Sequence, residues 1–400
     1  MAEIRSLRKR KLDNWLDAYL DYVEDSEPDP LYHKWVGVSV IASVLQRTCY
    51  LHWDSQTFAN FYIVLVGPPG GRKGTAMNFG RDILDKIEGV RYAADATSFR
   101  ALIDKIEGAR TTDALPDGMG MVDHCSLTIF SPELAVFLRD GKSMFEILTD
   151  LYDCGSRWKY DTQHAGSHDL KNVWLNMIGA TTPVLLHASL VSEAVGGGLT
   201  SRMIFINAFG KYKTVVFPFQ VKVDEEKRDA LIHDLSIIKS MVGQYRITDE
   251  FMKFWEEWYP YSDEHPPPNL TGPNFEGYIQ RRPKHLLKLS MVMSASRCSD
   301  LIIDRQDAEK ALEYLEGAES VMHYALASLG ASDITPLLNS VIADLEKYKE
   351  MKLSDLMAKY YADADAETMA RVIKTLKAMK KVSAKAIENG GDVMIKIINK

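Results

Sequence analysis

The stretch FYIVLVGPPGGRKGT, Phe61 to Thr75, reads as an apolar strand, a glycine-rich loop and the first residues of a helix. Phe61 to Gly67 is apolar on both faces, as a parallel strand covered by helices on each side requires. GPPGGRKGT (Gly67 to Thr75) then follows the phosphate-binding pattern G-x-x-x-x-G-K-[ST] at its first glycine and its lysine. Gly67, Gly70, Gly71 and Gly74 allow backbone N–H groups to turn inward around phosphates. Lys73 adds a positive point charge, and the following helix offers the positive end of its dipole. Arg72 stands where the second glycine is usual, and Gly74 where a magnesium-binding hydroxyl is usual, so Thr75 is the nearest hydroxyl for the metal. ATP and Mg2+ are the expected cofactors.

Outward from this segment, Met77 to Glu88 reads as a helix, and three further apolar runs read as buried strands: Ser126 to Phe130, Val173 to Ala180 and Arg202 to Ala208. Strands alternating with helical stretches predict an α/β layer with a parallel sheet. In Ser126 to Leu134, Glu133 lies just past a strand end, where it can orient an attacking water. Ser131 occupies the place where a metal-holding aspartate is usual. The same SPEL also suits a helix N-cap. The predicted sheet core covers residues 56–223. Before it, apolar residues recurring every three or four positions predict two helices in an N-terminal region, residues 1–55. After it, residues 224–330 read as a helical unit. Residues 334–400 read as a small helix–helix–hairpin module of winged-helix shape, with Asn389-Gly390-Gly391 at its turn.

A chain of 400 residues with 46% apolar and 26% charged residues is globular in composition and long enough for two or three packed units. No apolar run approaches the ~20 residues of a membrane span, and MAEIRSLRKRKLDNW carries basic residues without an apolar stretch behind them, which predicts a cytoplasmic protein. The four cysteines, Cys49, Cys125, Cys154 and Cys298, form no C-x-x-C pair, so buried thiols are expected instead of a zinc site or a disulfide framework. A net charge of -7 disfavours binding nucleic acid over the whole surface and leaves that work to local basic patches.

The order of these segments resembles AAA+ helicases. WLNMIGATTP (Trp174 to Pro183) resembles the sensor-1 strand, implying a γ-phosphate contact from Thr181 or Thr182, with Asn176 as an inner alternative. GGGLTSRMIFI (Gly196 to Ile206) is similar to a segment of minichromosome-maintenance helicases, which makes Arg202 the candidate arginine finger for a neighbouring subunit's ATP. YIQRRPKHLLKLSMVMSASR (Tyr278 to Arg297) resembles the lid helices that carry a sensor-2 arginine, here Arg281 or Arg282. The closest resemblance covers roughly Leu12 to Glu319 and is to DUF3987-like, helicase-type P-loop ATPases of bacteriophages, plasmids and integrated elements. It is carried by the helix pair His33 to Gln46, the glycine loop, Leu-Tyr-Asp (Leu151 to Asp153), Ala180 to Pro183 and Gly196 to Arg202.

The resemblance implies a ring of identical copies, six as in related proteins, acting on single-stranded DNA in a bacterial host, with priming left to a partner. Tyr152 to Trp174 reads as a β-hairpin around Ala165-Gly166-Ser167. In related helicases such a hairpin grips the strand, so Lys159, His164, His168 and Lys171 are the candidate DNA contacts, with an aromatic residue stacked on a base. Lys374, Lys377, Lys380, Lys381 and Lys385 mark a second basic face. The leading expectation is a DNA helicase or translocase. The alternative is a nucleotide-switched initiator or loader, which Ser131 in the aspartate position keeps open.

Overall fold

A computed structural model of the chain describes residues 9–114, 120–162, 166–190, 198–217, 224–326, 335–361, 363–387 and 392–398. The chain divides into a large unit ending at Ala325 and a small one beginning at Leu326. In the large unit the strands are β1 (Cys49–His52), β2 (Gln56–Phe58), β3 (Tyr62–Val66), β4 (Arg110–Ala114), β5 (Met121–Ser131), β6 (Arg157–Thr162), β7 (Gly166–Lys171), β8 (Val173–Thr181), β9 (Met203–Asn207), β10 (Gly243–Ile247) and β11 (Ile302–Ile303).

Every residue of β3, β8 and β9 is buried. These runs belong to a five-stranded sheet in the order β4-β5-β8-β3-β9, with β8 and β3 inside it and β9 at one edge. β5, β8, β3 and β9 run parallel, and β4 closes one edge antiparallel to β5. β4 escapes a hydrophobic reading because RTTDA is polar, as an edge strand can be. Strands buried on both faces need helices over each. The helix Pro30–Leu45 supplies much of that cover and is itself buried almost all round, so its apolar residues follow no single face. Its Ser39 and Ser43 accept hydrogen bonds from the Asn176 amide of β8, whose Oδ1 in turn accepts from the Phe61 N–H. Asn176 is thus a brace inside the sheet, and its position leaves Thr181 and Thr182 as the strand-end candidates.

The N-terminal region and the segment after residue 224 are not separate units. β1 pairs in parallel with β10, and with β2 and β11 they form a second sheet, β11-β10-β1-β2. Backbone N–H groups of Lys11 and Leu12 donate to the buried Asp234 carboxylate, and the Trp15 indole donates to the Leu231 carbonyl. The 25-residue helix Pro273–Arg297 runs through this part. Within the large unit, strands from the predicted first and third segments thus share one sheet.

The small unit contains the helices Thr335–Tyr348, Leu353–Lys359 and Ala366–Ala378, with the strands β12 (Glu350–Lys352), β13 (Val382–Ala386) and β14 (Val393–Ile397). The strands form an antiparallel sheet in the order β12-β14-β13, over a core that includes Val341, Leu345, Leu356, Val372, Leu376 and Ile395. β12 is an addition to the predicted helices and hairpin, and the turn Asn389 to Gly391 lies outside the described residues. Cys49, Cys125 and Cys154 are buried free thiols, and Cys298 is half-buried. Among the described residues no helix is long and apolar enough to cross a membrane.

Candidate functional site

The glycine loop sits at the carboxyl end of β3 and runs into the helix Lys73–Leu84, which starts four residues earlier than the periodicity predicts. A side chain at Gly67 would run into the Tyr32 hydroxyl and meet the Ala208 carbonyl at 2.7 Å, so only glycine fits there. Gly70 has φ +76, the left-handed region that glycine enters without strain. The loop is tied to the neighbouring strands by Gly67 N–H donating to Thr181 O and Ala208 N–H donating to Val66 O. Lys73 Nζ donates to the carbonyls of Gly67 (2.7 Å) and Pro68 (2.8 Å). Its pKa is lowered by burial, and the charge of Glu133 works against that shift. The carboxylate predicted beside the glycine loop is therefore close enough to Lys73 to interact with it.

Arg72 is also in the left-handed region, with φ 61, and its side chain turns away to pair with Glu27 at 2.7 Å. Glu27 also accepts from Lys211 and from the Val215 N–H, so the loop contributes the Arg72 backbone while the guanidinium binds a neighbouring strap. Thr75 is exposed on the first turn of the helix. Ser131 ends β5 fully buried, and its hydroxyl has no hydrogen-bond partner among the described residues. Such an orphan is a costly feature that a ligand or water would satisfy. Thr181 ends β8 buried, whereas Thr182 caps the helix Pro183–Ser189 through Leu185 N–H. No group of three or more His, Cys, Asp or Glu residues among the described residues is arranged to hold a metal by itself. Magnesium bound with a nucleotide needs few protein ligands, because the phosphates supply the others. Of the two hydroxyls expected to hold it, Thr75 is exposed and Ser131 is buried.

The predicted arginines lie elsewhere. Met203 pairs with Tyr62, the first residue of β3, so Arg202 is at the amino end of the sheet, roughly 16 Å of strand from the glycine loop. It donates from Nη2 to Asp153 Oδ2 (2.9 Å) and from Nη1 to the Gly198 carbonyl. Arg281 donates to the other oxygen of the same carboxylate at 3.2 Å. Burial raises the Asp153 pKa, but the charges of Arg281 and Arg202 outweigh it and hold the carboxyl below its ordinary value. Arg282, the other sensor-2 candidate, is buried. It pairs bidentately with Glu319 at 2.7 and 2.9 Å and donates to Ser262 at 2.6 Å. Its donors join its own helix to two others, Asp249–Glu264 and Arg305–Leu326, which leaves Arg281 as the accessible member of the pair. Asp153, the last residue of Leu-Tyr-Asp, carries a role that sequence reasoning missed, although the motif itself marks the place.

Beside this cluster the Lys288 ammonium is wholly buried, donating to Asn60 Oδ1 (2.7 Å) and lying 3.9 Å from the centre of the Tyr152 ring. Burial lowers its pKa to about 7 despite the opposing charges of Cys154 and Asp153, with Lys284 and Arg281 adding to the fall. Between about 7 and the ordinary 10.5 the unfolded chain holds a proton that the folded chain lacks, so stability rises with pH across that window. The wild type should gain about 2 kcal/mol relative to Lys288→Met between pH 7 and pH 9. Urea denaturation of both proteins at each pH checks this, and parallel pH profiles would refute it.

The hairpin exists as β6 paired antiparallel with β7 and leads directly into β8. Its aromatic face is turned inward: Trp158 stacks on Tyr160, and Tyr160 meets Phe99 edge-on. His168 is on that face too and pairs with Glu107 at 2.9 Å. These side chains hold the hairpin to the helix Phe99–Gly108, so base stacking and DNA contact by His168 do not fit this arrangement. Lys159 and Lys171 are exposed on the opposite face with Arg157, which pairs with Asp169. His164 lies outside the described residues. In the small unit Lys374, Lys377, Lys380, Lys381 and Lys385 are all exposed, and none makes an ion pair with a described residue.

No protein-family model matches the chain, and no curated protein matches it.

Proposed function

We propose that the chain is an ATP-hydrolysing motor that moves along single-stranded DNA as a ring of identical copies. Its core would be a P-loop parallel sheet of the AAA+/RecA-like class, with a winged-helix-like C-terminal unit. The observation that carries this reading is the order β5-β8-β3-β9 with the glycine loop at the carboxyl end of β3. Open parallel sheets bind ligands at that end. In that order the strand leading to Glu133 is two positions from β3, with β8 and Thr181 between them.

Each residue then has a stated part. The loop N–H groups and Lys73 bind the β- and γ-phosphates, for which Lys73 exchanges its two carbonyl partners. Glu133 orients the attacking water and takes up its proton. Thr181 fixes the far side of the γ-phosphate. Mg2+, when bound with the nucleotide at Thr75 and Ser131, supplies charge neutralisation on the phosphate oxygens. Arg202, remote from its own loop, serves a neighbouring copy. Lys159 and Lys171 on the outer face of the hairpin contact strand phosphates, and the lysine face of the small unit offers a second nucleic-acid contact.

ATP hydrolysis with and without single-stranded DNA tests this proposal. The wild type should be stimulated by the strand, and Glu133→Gln should retain ATP binding but lose turnover by about a hundredfold. ATP binding with negligible turnover and tight duplex binding would instead favour a nucleotide-switched initiator or loader, the reading that a serine at residue 131 supports.

A further inference from the structure

Arg202, Arg281, Lys284 and Lys288 all act electrostatically on one carboxylate, that of Asp153. Asp153 takes one arginine on each oxygen and is itself partly exposed. The Arg202 guanidinium is largely buried, and its Nε is fully shielded without a hydrogen-bond partner among the described residues. The cluster therefore carries excess positive charge, and Arg281 and Asp153 give it a partly exposed side, the properties of a site for an oligophosphate. It stands at the amino end of the sheet, so neither arginine is placed to reach the phosphates of its own glycine loop.

We propose that Asp153 is a positioning residue joining Arg202 and Arg281 into one two-arginine unit, and that this unit meets the nucleoside triphosphate bound by a second copy of the chain. The inference rests on the glycine loop being the ATP site. It moves Arg281 from a contact with its own nucleotide to a contact with the neighbour's. The shared carboxylate holds both planar donor forks in a fixed relation before the phosphate arrives, which lowers the ordering cost of the encounter. Because Arg281 belongs to the helix Pro273–Arg297 and Arg202 to the entry of β9, the unit also links that helix to the sheet.

Co-expression of two defective copies tests the proposal. A Lys73→Ala copy lacks a working loop but keeps its arginines, and an Arg281→Ala copy keeps its loop. Alone, each should be inactive. In an equal mixture, head-to-tail assembly joins an intact loop to an intact arginine unit at about a quarter of the interfaces, so about a quarter of wild-type hydrolysis should return. A mixture no more active than its components, at wild-type assembly size and with an active wild type, overturns the placement in trans. Hydrolysis that survives Lys73→Ala would remove the ATP-site reading itself.

Asp153→Asn supplies the positioning test. On the Lys73→Ala copy it should cut the restored activity at least tenfold. On a copy already lacking its unit, Arg202→Ala with Arg281→Ala, it should change nothing. An equal loss on either copy would mean a purely structural role and overturn the assignment. If Arg281→Ala fails to assemble, Arg281→Lys keeps the charge, loses the planar fork and serves the same mixing test.

Discussion

Lys73→Ala is expected to abolish ATP hydrolysis and weaken ATP binding, leaving the fold intact. Among the described residues the half-buried Lys73 ammonium donates to two loop carbonyls, those of Gly67 and Pro68, and to no buried acceptor of the core. Stability should therefore change by no more than about 0.5 kcal/mol. The chemical loss is larger because the lysine is the charge that the phosphates meet in a partly desolvated cradle, where removing one such group costs on the order of a hundredfold to a thousandfold in turnover. Steady-state phosphate release, with calorimetric ATP binding on the same sample, checks both halves. Wild-type turnover in the variant would remove the glycine loop from the mechanism. Lys73→Arg should also be inactive, since a planar fork does not replace a compact ammonium on a short loop.

The largest expected loss of stability is at Glu319. Its carboxylate accepts both donors of the Arg282 fork and the Tyr278 hydroxyl, and all three side chains are buried. Glu319→Ala leaves a guanidinium enclosed with Ser262 and the more distant Glu316, which lies 3.8 Å away and is largely exposed. Breaking a buried pair in this way costs about 3–5 kcal/mol, whereas replacing both partners by apolar residues is often close to neutral. Urea denaturation of Glu319→Ala should show that loss, and Arg282→Met with Glu319→Leu should recover most of it. A loss below about 1 kcal/mol would show that water or Glu316 reaches Arg282 readily.

The difference between adjacent Arg281 and Arg282 illustrates how far the sequence can be read. In a long helix, neighbouring residues point about 100° apart, so one can be buried while the other meets the surface. Which is which depends on Glu319 and Asp153, residues 37 and 128 positions away. The hairpin gives a similar result. Its alternation is legible, but whether the aromatic or the charged side faces inward depended on Phe99 and Glu107, which belong to a distant helix.

By itself the sequence determined the central strands, because only residues apolar on both faces can occupy the middle of a covered parallel sheet. It also determined the glycine loop, whose backbone freedom and lysine are local properties, and the helix–helix–hairpin character of the C-terminal unit. Tertiary structure alone decided that β1 pairs with β10 across the whole core, that β4 adds a polar edge, and that Arg202 and Arg281 share Asp153. Periodicity records which face of an element avoids water, whereas the identity of a polar partner depends on chain segments that only folding brings together.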